Sequence, residues 1–239
     1  MSIWKRLAEA TTDLTIGSPV ARLLAGDGEV RKAANPLPLS QQPDNEVPFT
    51  LGVIALSAKM AKADGHVTRD EVEAFKDAFK VSPGEMKEAA RAFNLAKWDA
   101  TGYEVLASEL VDLFKGNRKL LEDVLEGLFH IAKADEEVHP REDQFLGQVA
   151  KLFGFTDAEF SHIKARHVVA AKRNPYEVLG VDSSISDEEL KRHYCKLMVD
   201  NDPDNLFARG VPVEFVAIAT EKVAAIKTAY EAIAKERSI

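Results

Sequence analysis

The chain reads as an all-α protein, and three observations carry that reading. From Val47 to about Val168, and again from Asn174 to Ile239, apolar residues recur at intervals of three and four. That spacing lines them up on one face of a helix. Sustained period-two alternation, the mark of a half-buried strand, is absent from the first of these stretches. Helix punctuation divides the runs: Thr68 with Glu71 and Thr156 with Glu159 have capping-box spacing, and Gly102, Gly116-Asn117 and Pro140 fall between apolar segments.

Taken in order, residues 1–46 are an N-terminal segment of little periodicity, ending in the Pro-rich linker Asn35-Pro36-Leu37-Pro38-Leu39 and its continuation to Asp44. Ile3, Trp4 and Leu7 can form one face of a short amphipathic helix, expected to pack on the chain's own surface. The alternative is peripheral membrane contact by residues 1–8. Residues 47–168 form a first, wholly helical domain. In it Val72, Phe75 and Phe79 make an apolar stripe after the Thr68 cap, and Pro83-Gly84 is expected in the first turn of the next helix.

Residues 174–239 form a second, smaller domain. Pro175 suits the first turn of a short helix carrying Tyr176 and Leu179, which Gly180 ends. Ser186 starts another helix, with Asp187, Glu188 and Glu189 in its first turn and Leu190, Tyr194 and Leu197 as its buried stripe. Lys191, Arg192 and Lys196 lie away from that stripe as a positive patch. Pro203 is expected to break the helix and begin a loop running to Pro212. The last helix then carries Phe215, Ile218, Val223, Ile226, Tyr230 and Ile233, and the two long helices pack antiparallel with the short one across an end.

Composition narrows the function classes. With 239 residues, 46% of them hydrophobic, the chain can bury a real core. A formal net charge of −8 argues against nucleic acid as a partner, because that binding needs a basic footprint. The lone cysteine, Cys195, excludes an internal disulfide and fits a reducing compartment, so a cytoplasmic location is expected. No run approaches the roughly 20 apolar residues that span a bilayer. Glycine-rich phosphate loops and nucleophile elbows are missing, so no enzyme and no catalytic residue is expected.

The first domain contains an internal repeat. Ala61-Lys62-Ala63-Asp64, followed by Val67 and Glu71, is echoed by Ala132-Lys133-Ala134-Asp135, followed by Val138 and Glu142. Two readings stay open for its acidic residues. In one, each aspartate accepts backbone hydrogen bonds in a turn and each glutamate completes a helix cap. In the other, Asp64, Glu71, Asp135 and Glu142 gather around a divalent cation, the only cofactor the chain suggests. An EF-hand is excluded because Met60 and Lys62 stand where its first ligands belong. Asp200-x-Asp202-x-Asp204 has the spacing of a calcium loop's opening ligands, but Val211 falls where the bidentate glutamate is required.

The doubled Ala-Lys-Ala-Asp resembles the TerB fold of tellurite-resistance proteins, in which such a repeat reflects two similar helical halves. Residues 174–239 resemble a J domain, from Tyr176-Glu177-Val178-Leu179-Gly180-Val181 through the basic helix to Asp202-Pro203-Asp204. That tripeptide is His-Pro-Asp in the family, so Asp202 stands where the histidine is expected. The two in this order resemble the DjlA-type co-chaperones, many of which begin with a membrane-spanning helix. The resemblance implies a partner, the chaperone ATPase DnaK, met by Lys191, Arg192, Lys196, Asp202, Pro203 and Asp204. It also implies that stimulation of that ATPase is impaired by Asp202. The alternative it leaves is a metal-responsive or tellurite-stress scaffold with a degenerate J module. The client or ligand of the TerB-like domain is not named by any residue pattern.

Overall fold

The computed structural model describes residues 3–4, 45–64, 69–133, 138–168 and 173–239. Among them there is helix and no strand. Helix α1 (Glu46–Asp64) runs through the middle of the larger body. It has no polar face: Val47, Phe49, Leu51, Val53, Ile54, Leu56, Ala58 and Met60 point all round it, and all are buried. A helix apolar on every side needs neighbours on every side. They are α3 (Met86–Trp98), α4 (Tyr103–Leu113), α5 (Arg118–Ala132) and α6 (Pro140–Leu152), all packed on α1. Helix α2 (Arg69–Ala78) lies against α5, and α7 (Asp157–His167) against α5 and α6.

Local chemistry sets the helix starts where the sequence places them. The Thr156 hydroxyl accepts from the Glu159 amide at 3.2 Å, and the Glu159 carboxylate accepts from the Thr156 amide at 2.8 Å. The two halves of a capping box are thus both made. His139 and Glu142 form another ahead of α6, and Ser186 and Glu189 a third ahead of α9 (Asp187–Asp200). The Thr68–Glu71 box lies outside the described residues. Pro83-Gly84 sits in a turn and not in a helix. The Ser82 hydroxyl donates to the Glu85 carboxylate at 2.6 Å, closing that turn and delaying α3 to Met86.

The C-terminal segment contributes α8 (Pro175–Leu179), α9, α10 (Pro203–Arg209), a 3₁₀ turn (Val213–Phe215) and α11 (Val216–Arg237). Pro203 therefore ends one helix and opens the next; the stretch to Pro212 is not a plain loop. A small core joins Val178, Leu179, Leu190, Ala225, Ile226, Ala229 and Ile233, with Ala165 of α7 added. Tyr194 stacks on Tyr230 with ring centroids 4.1 Å apart.

Phe215 and Ile218, expected in that small core, pack in the larger one together with Leu206 and Val211. Phe215 meets Phe49 edge-on at 5.0 Å and Phe79 at 5.1 Å. Gly127 of α5 makes room for it, since a Cβ there would lie 2.8 Å from the Phe215 ring. The reason is amphipathic geometry. The start of α11 faces α5, and the rest of it faces α8 and α9. Ile3 and Trp4 close the same aromatic cluster: both are buried, and the Trp4 indole N–H donates to the Phe79 carbonyl at 3.3 Å. They pack on the chain's own core, as expected of them; Leu7 lies outside the described residues.

Phe215→Ala should lower unfolding free energy by about 3–5 kcal/mol, the range for an aromatic removed from a packed core. Urea denaturation measures it. A loss under about 1 kcal/mol, the size typical of minor core changes, would mean that Phe215 is not a structural plug.

Candidate functional site

The expected partner-binding residues sit on α9 and the turn after it. Leu190, Tyr194 and Leu197 face inward, and His193 Nε2 lies 2.8 Å from the Leu179 carbonyl, tying α9 to α8. The opposite face is therefore free of the core. Lys191, Arg192, Cys195 and Lys196 are all exposed, and Val199 extends that face with 61% of its surface open.

At the end of α9 the chain turns tightly. The Asn201 side chain is buried and its amide donates to the Leu197 carbonyl at 2.8 Å; Asn205 donates to the Val199 carbonyl at 2.7 Å. Carbonyls left over at a helix end thereby gain partners. Asp202 is the N-cap of α10, its Oδ1 accepting from the Asp204 amide at 3.0 Å, with Pro203 at the first helical position. Asp202, Pro203 and Asp204 are exposed.

The carboxylate at 202 thus has a local task that its residue type suits. A histidine fits the same backbone. His139 caps α6 ahead of Pro140 with φ −63° and ψ 144°, against −64° and 138° at Asp202. Asp200 is turned to Lys119 of α5, 3.1 Å away, rather than into a cluster with Asp202 and Asp204.

Of the four acidic repeat residues, Glu142 is described in full. It is buried, and its Oε2 accepts from the His139 amide at 2.9 Å as a helix cap. Asp64 ends α1 and Glu71 lies in α2, but their side chains, and Asp135 altogether, lie outside the described residues. Among the described residues no group of three or more His, Cys, Asp or Glu is placed to hold a metal ion.

A buried charge cluster escaped the sequence reading. Glu122, Asp123 and Glu126 of α5 face Arg166 and His167 of α7, Arg209 of α10 and Lys222 of α11. Arg166 lies 2.7 Å from both Glu122 and Glu126, and Lys222 lies 3.0 Å from Glu122 and 3.3 Å from Glu126. Arg209 donates to Asp123 Oδ2 from Nε at 3.2 Å and from Nη2 at 2.8 Å. His167 reaches Glu126 at 2.5 Å and stacks on Phe129. Three carboxylates thus meet three permanent cations.

Burial favours neutral acids, but the cations outweigh it at two of them. Desolvation raises the Glu122 carboxyl, and Lys222 with Arg166 pulls it down further, to about 2. Glu126 is likewise held well below the ordinary range by Arg166, Lys222 and His167 against desolvation. At Asp123 desolvation exceeds the pull of Lys222 and Arg209, so its carboxyl is raised. Burial lowers the His167 imidazole more than Glu126 raises it.

Residues 50–165 match the family model of the tellurite resistance protein TerB. Over 83% of its length the chain is 30% identical to the co-chaperone protein DjlA of Vibrio cholerae, covering 81% of that protein. It is 29% identical to the DjlA of Photobacterium profundum, with 81% of this chain and 79% of the relative covered. The DjlA of Coxiella burnetii is 30% identical, with 75% and 74% covered. No solved structure matches the chain.

The cluster makes stability fall with acid, and the sign follows from the shifts. Glu122 and Glu126 are depressed below the ordinary 4.5, so their contribution is full above that value and is lost as pH falls below it, for Glu122 toward about 2. His167, lowered from 6.5, adds to the loss once the unfolded chain takes up its proton below that pH; Asp123, raised, works in the opposite direction. Urea midpoints should therefore drop between pH 6.5 and 3. Lys222→Met should cost about 3–5 kcal/mol at pH 7, by leaving buried carboxylates short of a cation, and should flatten the fall in stability below pH 4.5, because Glu122 and Glu126 are then less depressed. An unchanged acid profile in this variant would contradict the assignment.

Proposed function

This chain belongs to the DjlA-type co-chaperones, and from that premise we propose that it engages a cytoplasmic DnaK-type chaperone through α9 and the turn that follows. The observation that carries the reading is exposure. Lys191, Arg192, Lys196, Asp202, Pro203 and Asp204 are all open to solvent along one helix and the turn at its end. Their cations would steer an acidic chaperone surface into register, acting mainly on encounter and orientation. Val199 offers an apolar contact beside them. The chain's part is to regulate the partner's ATPase; it performs no reaction of its own.

Asp202 then governs how strongly that ATPase responds. Where the family carries an imidazole, this turn presents a carboxylate that accepts a hydrogen bond from its own backbone. It can donate none while ionised, and it repels an acidic partner. Docking is retained through α9 while stimulation is weak. This reading is preferred to a scaffold built around a divalent cation, because Glu142, one of the four carboxylates that scaffold needs, already caps α6.

Single-turnover ATP hydrolysis by a DnaK-type chaperone tests the proposal. Asp202→His should raise stimulation about tenfold or more over the native chain, the effect of one well-placed polar group at a partner interface. Equal stimulation by both would remove Asp202 from its role. Lys191→Glu with Arg192→Glu should weaken binding about tenfold, less so at high salt. Binding that survives this reversal at low salt would place the interface elsewhere.

A further inference from the structure

We propose that Arg209 is a positioning residue: with Asp123 it fixes the Asp202-Pro203-Asp204 turn to α5, so the TerB-like body sets how that turn meets the chaperone. The proposal rests on the chaperone reading above. Its support is a set of contacts that all bear on this one turn. While Arg209 Nε and Nη2 hold Asp123, its Nη1 donates to the Asp200 carbonyl at 2.7 Å, two residues before Asp202. One guanidinium therefore spans the end of α9, the end of α10 and the side of α5. Lys119 of α5 adds a second tie to the Asp200 carboxylate at 3.1 Å.

The far end of α10 is held as closely. Leu206 and Val211 are buried in the larger core. The Arg209 carbonyl accepts from the Asn45 side chain at 3.2 Å, just ahead of α1. Gly210 has φ +90°, and a Cβ on it would lie 2.4 Å from the Asn45 Cβ, so only glycine lets the chain pass there. The exposed tripeptide is thus framed on both sides by contacts to the TerB-like body. Any ligand of that body that shifts α5 would move the turn with it, which gives the two parts of the chain a physical means of coupling.

Arg209→Lys in the full chain tests this. It keeps the charge but loses the planar fork that holds Asp123 and the Asp200 carbonyl together. Hydrogen exchange at the Leu206 and Val211 amides, both bonded within α10 and its cap, should quicken by about tenfold. Chaperone affinity should drop about fivefold, the low end of ordinary site coupling. Lys133→Met serves as the control. It breaks the 2.7 Å pair with Glu221, loosening α5 from α11 without touching the turn, and both readouts should hold.

Unchanged exchange in Arg209→Lys would overturn the proposal whatever the chaperone does. Faster exchange with undiminished affinity would overturn it too, because the chaperone would then be indifferent to the turn's position. A native chain that binds no chaperone while the exchange still quickens would overturn the underlying chaperone reading instead.

Discussion

The ion cluster on α5 is the constraint on which the rest of the architecture depends. Glu122, Asp123 and Glu126 are taken out of water along a helix whose remaining inward residues are apolar. Each would be costly if left alone. They are compensated only when α7 brings Arg166, α10 brings Arg209 and α11 brings Lys222 to the same place. Helices α5, α7, α10 and α11 are thereby fixed in one register. The net stability from such a cluster is small beside its desolvation cost, so its main effect is on the arrangement: any displacement of α11 along α5 strands a buried charge. Phe215 provides the apolar part of the same junction, among Phe49 and Phe79.

That junction lies behind the exposed surface proposed to meet the chaperone. Helix α9 is amphipathic and needs only α8 and α11 behind it, which leaves its cationic face outward. The turn that follows it is tied to the TerB-like body, through Lys119 on Asp200 and through Asp123 and Asn45 on Arg209. The capping role of Asp202 belongs to the same economy of local contacts: a short side chain ahead of a proline starts α10 where α9 stops. Because His139 adopts the same backbone ahead of Pro140, the fold itself does not dictate a carboxylate at 202.

What could be read from the sequence was local. The capping box at Thr156 and the helix start at Ser186 depend on residues close in sequence, and both formed. The exposure of Lys191, Arg192 and Lys196 follows from the phase of Leu190, Tyr194 and Leu197, which is also a local matter. Pro203 reads equally as the end of one helix and the first residue of another, and the structure uses it as both. The buried cluster needed tertiary information, although it left a trace. Lys222 falls midway between Ile218 and Ile226 at steps of four, a cation on an apolar stripe, and Glu122 with Glu126 interrupts the apolar pattern of α5 in the same way. Such residues mark where two faces meet, but not which partner each finds.

The most direct test of the account uses Cys195, the chain's one cysteine, exposed on α9 between Arg192 and Lys196. A photoreactive maleimide on this thiol would be irradiated with a DnaK-type chaperone and ATP, beside a second chain carrying the same group on Trp98→Cys with Cys195→Ser. Trp98 is exposed on α3, away from α9 in the chain. A cross-link to the chaperone's nucleotide-binding domain is expected from Cys195 and none from position 98. A chaperone captured equally from position 98, or from there alone, would contradict the claim that α9 is the chaperone-facing surface.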